Sequence, residues 1–238
     1  MQVALITGGS AGLGLAMIRA LTDGGWTVVT DSRHPGPLAR IAAEQVLTVP
    51  GDIADPTHRD RLAAEVNRLG QLDLLMHNAS TLGPLPMTQL RALSAAAFTN
   101  IFEVNVGAPL LLTQLVIPIL SASRGILLSV SSDASVSHYE CWGGYGASKA
   151  ALDHVVLTVG AEEGIKAYAV DPGDMRTQMQ QDAFPGEDIS DRPLPDSVVP
   201  HLLGLIQRQP ESGRYQAAAI AVQDSAARQT GPTNSEVA

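Results

Sequence analysis

A chain of 238 residues, 45% hydrophobic and 16% charged, has the composition of one globular domain large enough to bury a sizeable core, which excludes a disordered or fibrous class. Its net charge of −9 and pI near 5.0 argue against nucleic acid and anionic membrane surfaces as partners, because neutralising phosphates needs clustered Lys and Arg. The lone Cys141 cannot close an internal disulfide, the N-terminus lacks a signal-peptide pattern, and the longest apolar stretch, Pro109 to Leu120, is short for a membrane span, so the expected location is the cytoplasm.

Short apolar runs alternate with longer helical patterns. Val3 to Ile6 predicts a buried strand and Gly12 to Leu21 a helix. Strands at Trp26 to Thr30 and Val46 to Val49 precede a helix from Pro56 to Leu69. Leu72 to Met76 predicts a fourth strand, with helices at Ser94 to Phe102 and Ala108 to Leu120. A strand at Gly125 to Val130, a helix at Tyr145 to Val159 and a strand at Ile165 to Val170 complete the alternation. This β-α order with near-continuous apolar strands predicts an α/β fold, a doubly wound parallel sheet with helices on both faces, in a single domain over residues 1–223. Residues 174–197 form a polar run with Pro and Gly, read as a loop with a short helix that serves as a substrate lid. Leu202 to Ile206 is helical, Gln216 to Val222 predicts a short edge strand, and the tail 224–238 is expected to be disordered.

Thr7-Gly8-Gly9-Ser10-Ala11-Gly12-Leu13-Gly14 follows the first strand and opens the first helix. Glycines there permit a tight turn and close backbone approach, and a helix N-terminus offers amide donors to a pyrophosphate, as in the Rossmann fold. An ordinary flexible βα turn has the same look on this feature alone. At the end of the second strand, Asp31 points to NAD, as a ribose hydroxyl acceptor, and Arg33 to NADP, as a 2′-phosphate partner. Asp52 with Ile53 after the third strand suits an adenine amino group and ring, or equally a turn or cap aspartate.

Tyr145 and Lys149 stand four residues apart, on one helix face. A nearby cation favours the phenolate, so Tyr145 can trade a proton with a substrate hydroxyl or carbonyl near neutral pH. Ser132, upstream at the end of the fifth strand, can donate to the same oxygen. The six histidines show no metal-ligand spacing, so no metal is expected.

Together these residues resemble the short-chain dehydrogenase/reductase family, classical type, over residues 2 to about 177. The resemblance is carried by Thr7 to Gly14, Asp52-Ile53, His77-Asn78-Ala79-Ser80, Asn105, Ser132, Tyr145-x-x-x-Lys149 and Pro172-Gly173 with Thr177. It implies Tyr145 as general acid/base, Lys149 lowering its pKa and binding the nicotinamide ribose, Ser132 polarising the substrate oxygen, and Asn105 holding a relay water. The reaction implied is hydride transfer between NAD(P)H and a carbonyl/alcohol carbon. The cofactor set is then Gly8, Ser10, Gly12, Leu13, Gly14, Ser32, Arg33, Asp52, Ile53, Asn78, Ala79, Tyr145, Lys149, Pro172, Gly173, Met175 and Thr177. In the family alignment Ser32 takes the place of the NAD-users' Asp and Arg33 that of the NADP-users' Arg, which favours NADP; Ala11, where many NADP-users carry a basic residue, points the other way. His77 and Ser80 depart from the family's Asn and Gly.

The substrate expected is a small or medium, partly apolar carbonyl or alcohol. The loop with His138, Tyr139, Cys141 and Trp142 borders it in the family, and Met175, Met179, Phe184 and Pro185 either cap it or anchor the lid. A homo-oligomer is expected, a dimer ahead of a tetramer, because the family's Gly-rich ending is missing and Pro210 to Tyr215 stands as a shortened version. The apolar faces of the two long helices (Leu111, Leu115, Ile119; Leu152, Val155, Val156, Val159) fit a subunit contact or the core equally. Two other functions remain open: a cofactor-binding regulatory or scaffold protein with little turnover, and a non-redox lyase or isomerase using the same Tyr and Lys.

Overall fold

The structure, a computed structural model, describes residues 1–33 and 45–220. The expected tail, and the last two residues of the expected strand 216–222, lie outside the described residues.

Seven strands form one parallel sheet in the order β3-β2-β1-β4-β5-β6-β7. They are β1 (Val3–Ile6), β2 (Thr27–Ser32), β3 (Val46–Pro50), β4 (Leu74–His77), β5 (Ile126–Val130), β6 (Lys166–Asp171) and β7 (Gly213–Gln216). The order reverses between β1 and β4, the place where doubly wound sheets open a crevice beyond their carboxyl ends. β1 shows why both faces must be covered: all four of its residues are fully buried. Ala4 and Ile6 face α1 (Gly12–Asp23) and α7 (Val199–Arg208), packing on Met17, Ile18, Leu202 and Leu205. Val3 and Leu5 face α2 (Pro56–Leu69), α4 (Ala108–Ala122) and α5 (Gly143–Glu163), packing on Leu62, Leu112, Val116 and Val156. The pleat of period two thus feeds two separate cores.

Local chemistry sets the helix ends. Asp55 caps α2 by accepting from Thr57 N at 2.9 Å, Pro56 opens it, and Gly70 closes it at φ 74°. Ser94 caps α3 (Ala95–Phe102) in the same way through Ala97 N. A π-turn, Glu103–Gly107, joins α3 to α4, making one helical stretch from Ala95 to Ala122. By length and composition this stretch is apolar enough to cross a membrane. In the fold it covers the sheet through Leu112, Val116 and Leu120, while Leu111 and Leu115 stay exposed on its outer side. Of the other candidates for a subunit contact, Leu152 and Val156 are core residues, Ile119 and Val159 are partly buried against that core, and Val155 is half-buried.

One strand differs from its expected place. The edge strand is Gly213–Gln216, pairing Arg214 with Ala169 of β6, and the chain is helical again at 217–220. Tyr215 fixes this register by packing edge-on to Tyr168 at 5.8 Å. The alanines after Gln216 favour helix over strand, and Ala217 and Ile220 enter the core from it. β2 also runs past its expected end at Thr30 to include Asp31 and Ser32, both buried.

Candidate active site

At the C-terminal edge of β1 the chain makes its glycine turn. Gly8 has φ +71°, and a Cβ there would lie 2.9 Å from the Ala79 Cα. At Gly14 a Cβ would lie 2.6 Å from both the Asn78 side chain and the Gly8 carbonyl, so α1 can approach the turn only without a side chain at that position. Asn78 donates from Nδ2 to the carbonyls of Thr7 (2.9 Å) and Gly8 (3.0 Å), and Thr7 Oγ1 accepts from the amides of Asn78 and Ala79. These bonds staple the end of β4 to the turn. No side chain caps α1 at Ala11. The first amides of α1 therefore remain open to an anion, and the turn fits a dinucleotide pyrophosphate.

A groove of about 390 Å³ runs from this turn across the sheet's carboxyl edge. Of the expected cofactor residues, Gly8, Ser10, Gly12, Leu13, Ser32, Arg33, Asp52, Ile53, Asn78, Ala79, Tyr145, Lys149, Met175 and Thr177 line it. Gly14, Pro172 and Gly173 do not. Gly14 serves the helix approach, and Gly173 makes a turn at φ +74° that leads into Met175 and Thr177. Asp52 makes an Asx turn to Ala54 N at 3.0 Å, leaving the cap of α2 to Asp55.

Asp31 and Arg33, which point to opposite cofactors in sequence, have different surroundings. Asp31 is 2% exposed and turned inward: Oδ1 accepts from Gly8 N at 2.6 Å, and Oδ2 meets His58 Nε2 at 3.1 Å. Arg61 donates to His58 Nδ1 at 3.0 Å, which leaves the histidine proton on Nε2, directed at Asp31. Asp31 thus buttresses the glycine turn. Arg33 is exposed at the same end of the groove.

At the other end stand Tyr145 and Lys149, on the first turns of α5. The Lys149 ammonium lies 5.6 Å from the Tyr145 ring centre and donates to the Val130 carbonyl at 2.8 Å. The hydroxyls of Ser132 and Ser80 face the Tyr145 phenol and favour its ionised form. Ser132 also accepts from Ala134 N at 3.2 Å and donates to Asp133 at 3.1 Å. Asn105 is fully buried and stands behind the groove, not in it. It bonds Thr81 through both side-chain atoms and donates to Ser148 Oγ at 2.9 Å.

The sequence profile of the family described as short chain dehydrogenase matches residues 2–188. The chain is a member of that family, the short-chain dehydrogenase/reductases. Its relatives include the benzil reductase ((S)-benzoin forming) of Saccharomyces cerevisiae, 32% identical over 195 residues, a match covering 76% of this chain and 74% of that one. A short-chain dehydrogenase structure from Pseudomonas syringae superposes with TM-score 0.84 at 30% identity, covering 90% of this chain and 93% of the other. Another from Escherichia coli CFT073, complexed with NADPH, superposes with TM-score 0.83 at 26% identity, over 91% and 96% of the two chains. The protein is thus an NAD(P)-dependent oxidoreductase acting on CH–OH groups.

Burial governs the charges of this dehydrogenase's site. It pushes the Tyr145 phenol far above its usual value; the Ser132 and Ser80 hydroxyls pull it back, and Asp133 and Asp171 add to the rise. Burial brings Lys149 down to about 8, opposed by Asp153. His77, which meets Thr113 Oγ1 at 2.8 Å, is brought down to about 3 by burial and then by the Lys149 charge. Since Thr113 donates its own proton to the Pro109 carbonyl, His77 donates from Nε2 and stays neutral. The sign of the linkage follows. Between about 6.5 and 3 the unfolded chain binds a proton at this histidine that the folded chain refuses, so stability falls as pH falls, by about 1.4 kcal/mol per unit. In His77→Asn, urea titrations at about pH 6.5 and 4.5 should show an acid-induced loss of stability smaller than the wild type's by about 2–3 kcal/mol. An unchanged loss would mean that another group carries the acid sensitivity.

Three features of the site escape the sequence reading. The Asp31–His58 buttress pairs residues 27 positions apart. Ser80 faces the phenol along with Ser132. Arg214 of β7 donates to the Ser132 carbonyl at 2.9 Å and meets Asp153 at 3.3 Å and Asp171 at 3.4 Å. In the sequence Pro210 to Tyr215 stands only as a shortened C-terminal ending, and nothing in its spacing points to the loop that bears Ser132.

Proposed function

We propose that this dehydrogenase interconverts a partly apolar carbonyl compound and its alcohol with NADP(H), using Tyr145 as general acid/base. The observation that carries the reading is the convergence, along one groove, of the glycine turn, Arg33, Lys149 and Tyr145, with Ser132 on the phenol. When bound, the nicotinamide supplies or takes up the hydride. The remaining work falls to the chain. Ser132 turns its hydroxyl to the substrate oxygen, and Tyr145 gives that oxygen a proton in reduction or takes one in oxidation. Lys149, held against the Val130 carbonyl, keeps a cation beside the phenol and favours its ionised form. The turn amides and Arg33 hold phosphates.

NADP is the preferred dinucleotide because Asp31 spends both carboxylate oxygens on Gly8 and His58, which leaves Arg33 to meet whatever the adenosine ribose carries. An apolar substrate suits the far wall. Trp142 packs on Tyr145 at 5.7 Å and on Phe184 at 5.9 Å, and Met175 and Met179 line the groove itself. Phe184 belongs to residues 174–197, which act as the lid, and Arg192 lies 5.2 Å from its ring.

The test is NADPH oxidation with benzil and a panel of aryl and alkyl ketones as probes. We expect turnover, a preference for NADPH over NADH, and a preference reduced by about ten- to a hundredfold in Arg33→Ala, the worth of one charge-assisted hydrogen bond. NADPH binding without oxidation on any probe would favour a regulatory binder. An unaltered preference in Arg33→Ala would overturn the cofactor assignment.

A further inference from the structure

Ser80 carries a side chain where the motif it belongs to otherwise has glycine, and that side chain points into the reacting end of the groove. It follows β4 directly, in the segment stapled to the glycine turn through Asn78, so its position is set by the same bonds that shape the cofactor site. Ser80 lines the groove together with Tyr145 and Lys149. Its hydroxyl donates to Asn105 Oδ1 at 3.2 Å and faces the Tyr145 phenol across the groove. Asn105 reaches the tyrosine by a second route: it donates to Ser148 Oγ at 2.9 Å, and Ser148 donates to the Tyr145 carbonyl at 2.6 Å. One buried amide therefore fixes both the loop bearing Ser80 and the helix turn bearing Tyr145.

We propose that Ser80 is a second hydroxyl of the acid–base site, which turns from Asn105 to donate to the Tyr145 oxygen whenever that oxygen is ionised. This rests on the reading of Tyr145 as the acid/base. The switch leaves no buried group unpaired. Asn105 Oδ1 keeps its bond from Thr81 N at 2.8 Å when the serine turns away. Ser80 keeps its own proton throughout, and only the direction of its hydrogen bond changes. The neighbours explain why a second donor matters. Asp133, after β5, and Asp171, at the end of β6, both face the phenol with negative charge, and burial opposes ionisation more strongly still. Against these stand Lys149 on the tyrosine's own helix, at 5.6 Å from the ring, and the hydroxyls of Ser132 and Ser80. Ser132 is committed in part to the substrate oxygen and to Asp133, at 3.1 Å. Ser80 has no such second task, so it serves the phenolate throughout the reaction.

The test reads the tyrosine oxygen without any substrate. In NADP+-loaded protein labelled with ¹³Cζ-tyrosine, the resonance missing from Tyr145→Phe identifies Tyr145, and its shift is followed with pH. Ser80→Ala and Ser80→Gly should titrate about one to two pH units higher than wild type, and Ser80→Thr, which keeps a hydroxyl, should titrate near it. Titration of Ser80→Ala and Ser80→Gly together with wild type would overturn the proposal. A wild-type Tyr145 that never ionises while the protein stays folded would overturn it equally, since there would be no phenolate to serve. The readout is independent of turnover, so failure on every carbonyl would count against the proposed reaction and not against the serine.

Discussion

In Tyr145→Phe, turnover is expected to fall by about 10²–10⁴-fold, while the affinity for NADPH stays close to wild type. The two halves of this expectation come from opposite ends of the groove. On the proposed reading the turn amides and Arg33 hold the dinucleotide's phosphates at the end of the groove away from the phenol. On the proposed mechanism the proton needed by the substrate oxygen comes from the phenol itself. Phe keeps the ring, which is 7% exposed and packs edge-on against Trp142 at 5.7 Å, so the wall of the site is preserved. Removing the hydroxyl also removes a buried polar group, which leaves the Ser132 and Ser80 hydroxyls with their other partners, Asp133 and Asn105. The variant should therefore melt near wild type. NADPH fluorescence titration beside NADPH oxidation on the best ketone of the panel separates binding from chemistry. Near-normal rates would sink the acid/base role, and lost NADPH binding would show that the phenol has a part in holding the cofactor.

How much of this the sequence discloses depends on the range of the interaction. Local periodicity finds β1 at Val3–Ile6 and α2 at Pro56–Leu69 without error at either end, because an unbroken apolar run and a Pro-to-Gly frame are both local signals. The spacing of Tyr145 and Lys149 puts them on one turn of α5, and they do share the groove. Asp31 shows the limit. Its partner His58 sits on α2, and only the parallel pairing of β2 with β3 brings that helix's first turn over the end of β2. Without it, the aspartate reads as a ribose ligand. The alanine-rich run after Gln216 misleads for a different reason. Burial makes it look like strand, whereas Tyr215 against Tyr168 ends the pairing earlier. The resemblance gives Asn105 as the holder of a relay water, whereas the fold buries it in the π-turn, where its amide bonds the Thr81 carbonyl.

Arg214→Leu should lower stability by about 3 kcal/mol and the melting temperature by about 6–12 °C. The arginine stands among groups with little water. The side chains of Asp153 and Asp171 are 10% and 6% exposed, and its own is 23%. Removing one partner of a buried pair costs about 3–5 kcal/mol, because the remaining charge has no solvent to compensate it; partial exposure of Arg214 keeps this case at the lower end. Leucine fills the space and leaves two carboxylates facing one another. Asp153 retains the hydroxyls of Ser131 at 2.6 Å and Ser135 at 3.0 Å, which soften the loss without supplying a positive charge. The same substitution frees the Ser132 carbonyl, so kcat should drop along with stability even at temperatures where the protein is fully folded. The double variant Arg214→Leu/Asp153→Asn separates the two effects. Neutralising one carboxylate should restore much of the lost stability, since the cost is electrostatic, but not the lost rate, since the serine's backbone tether is still gone. A double variant as unstable as the single one would show that packing on β7, and not buried charge, is what Arg214 contributes.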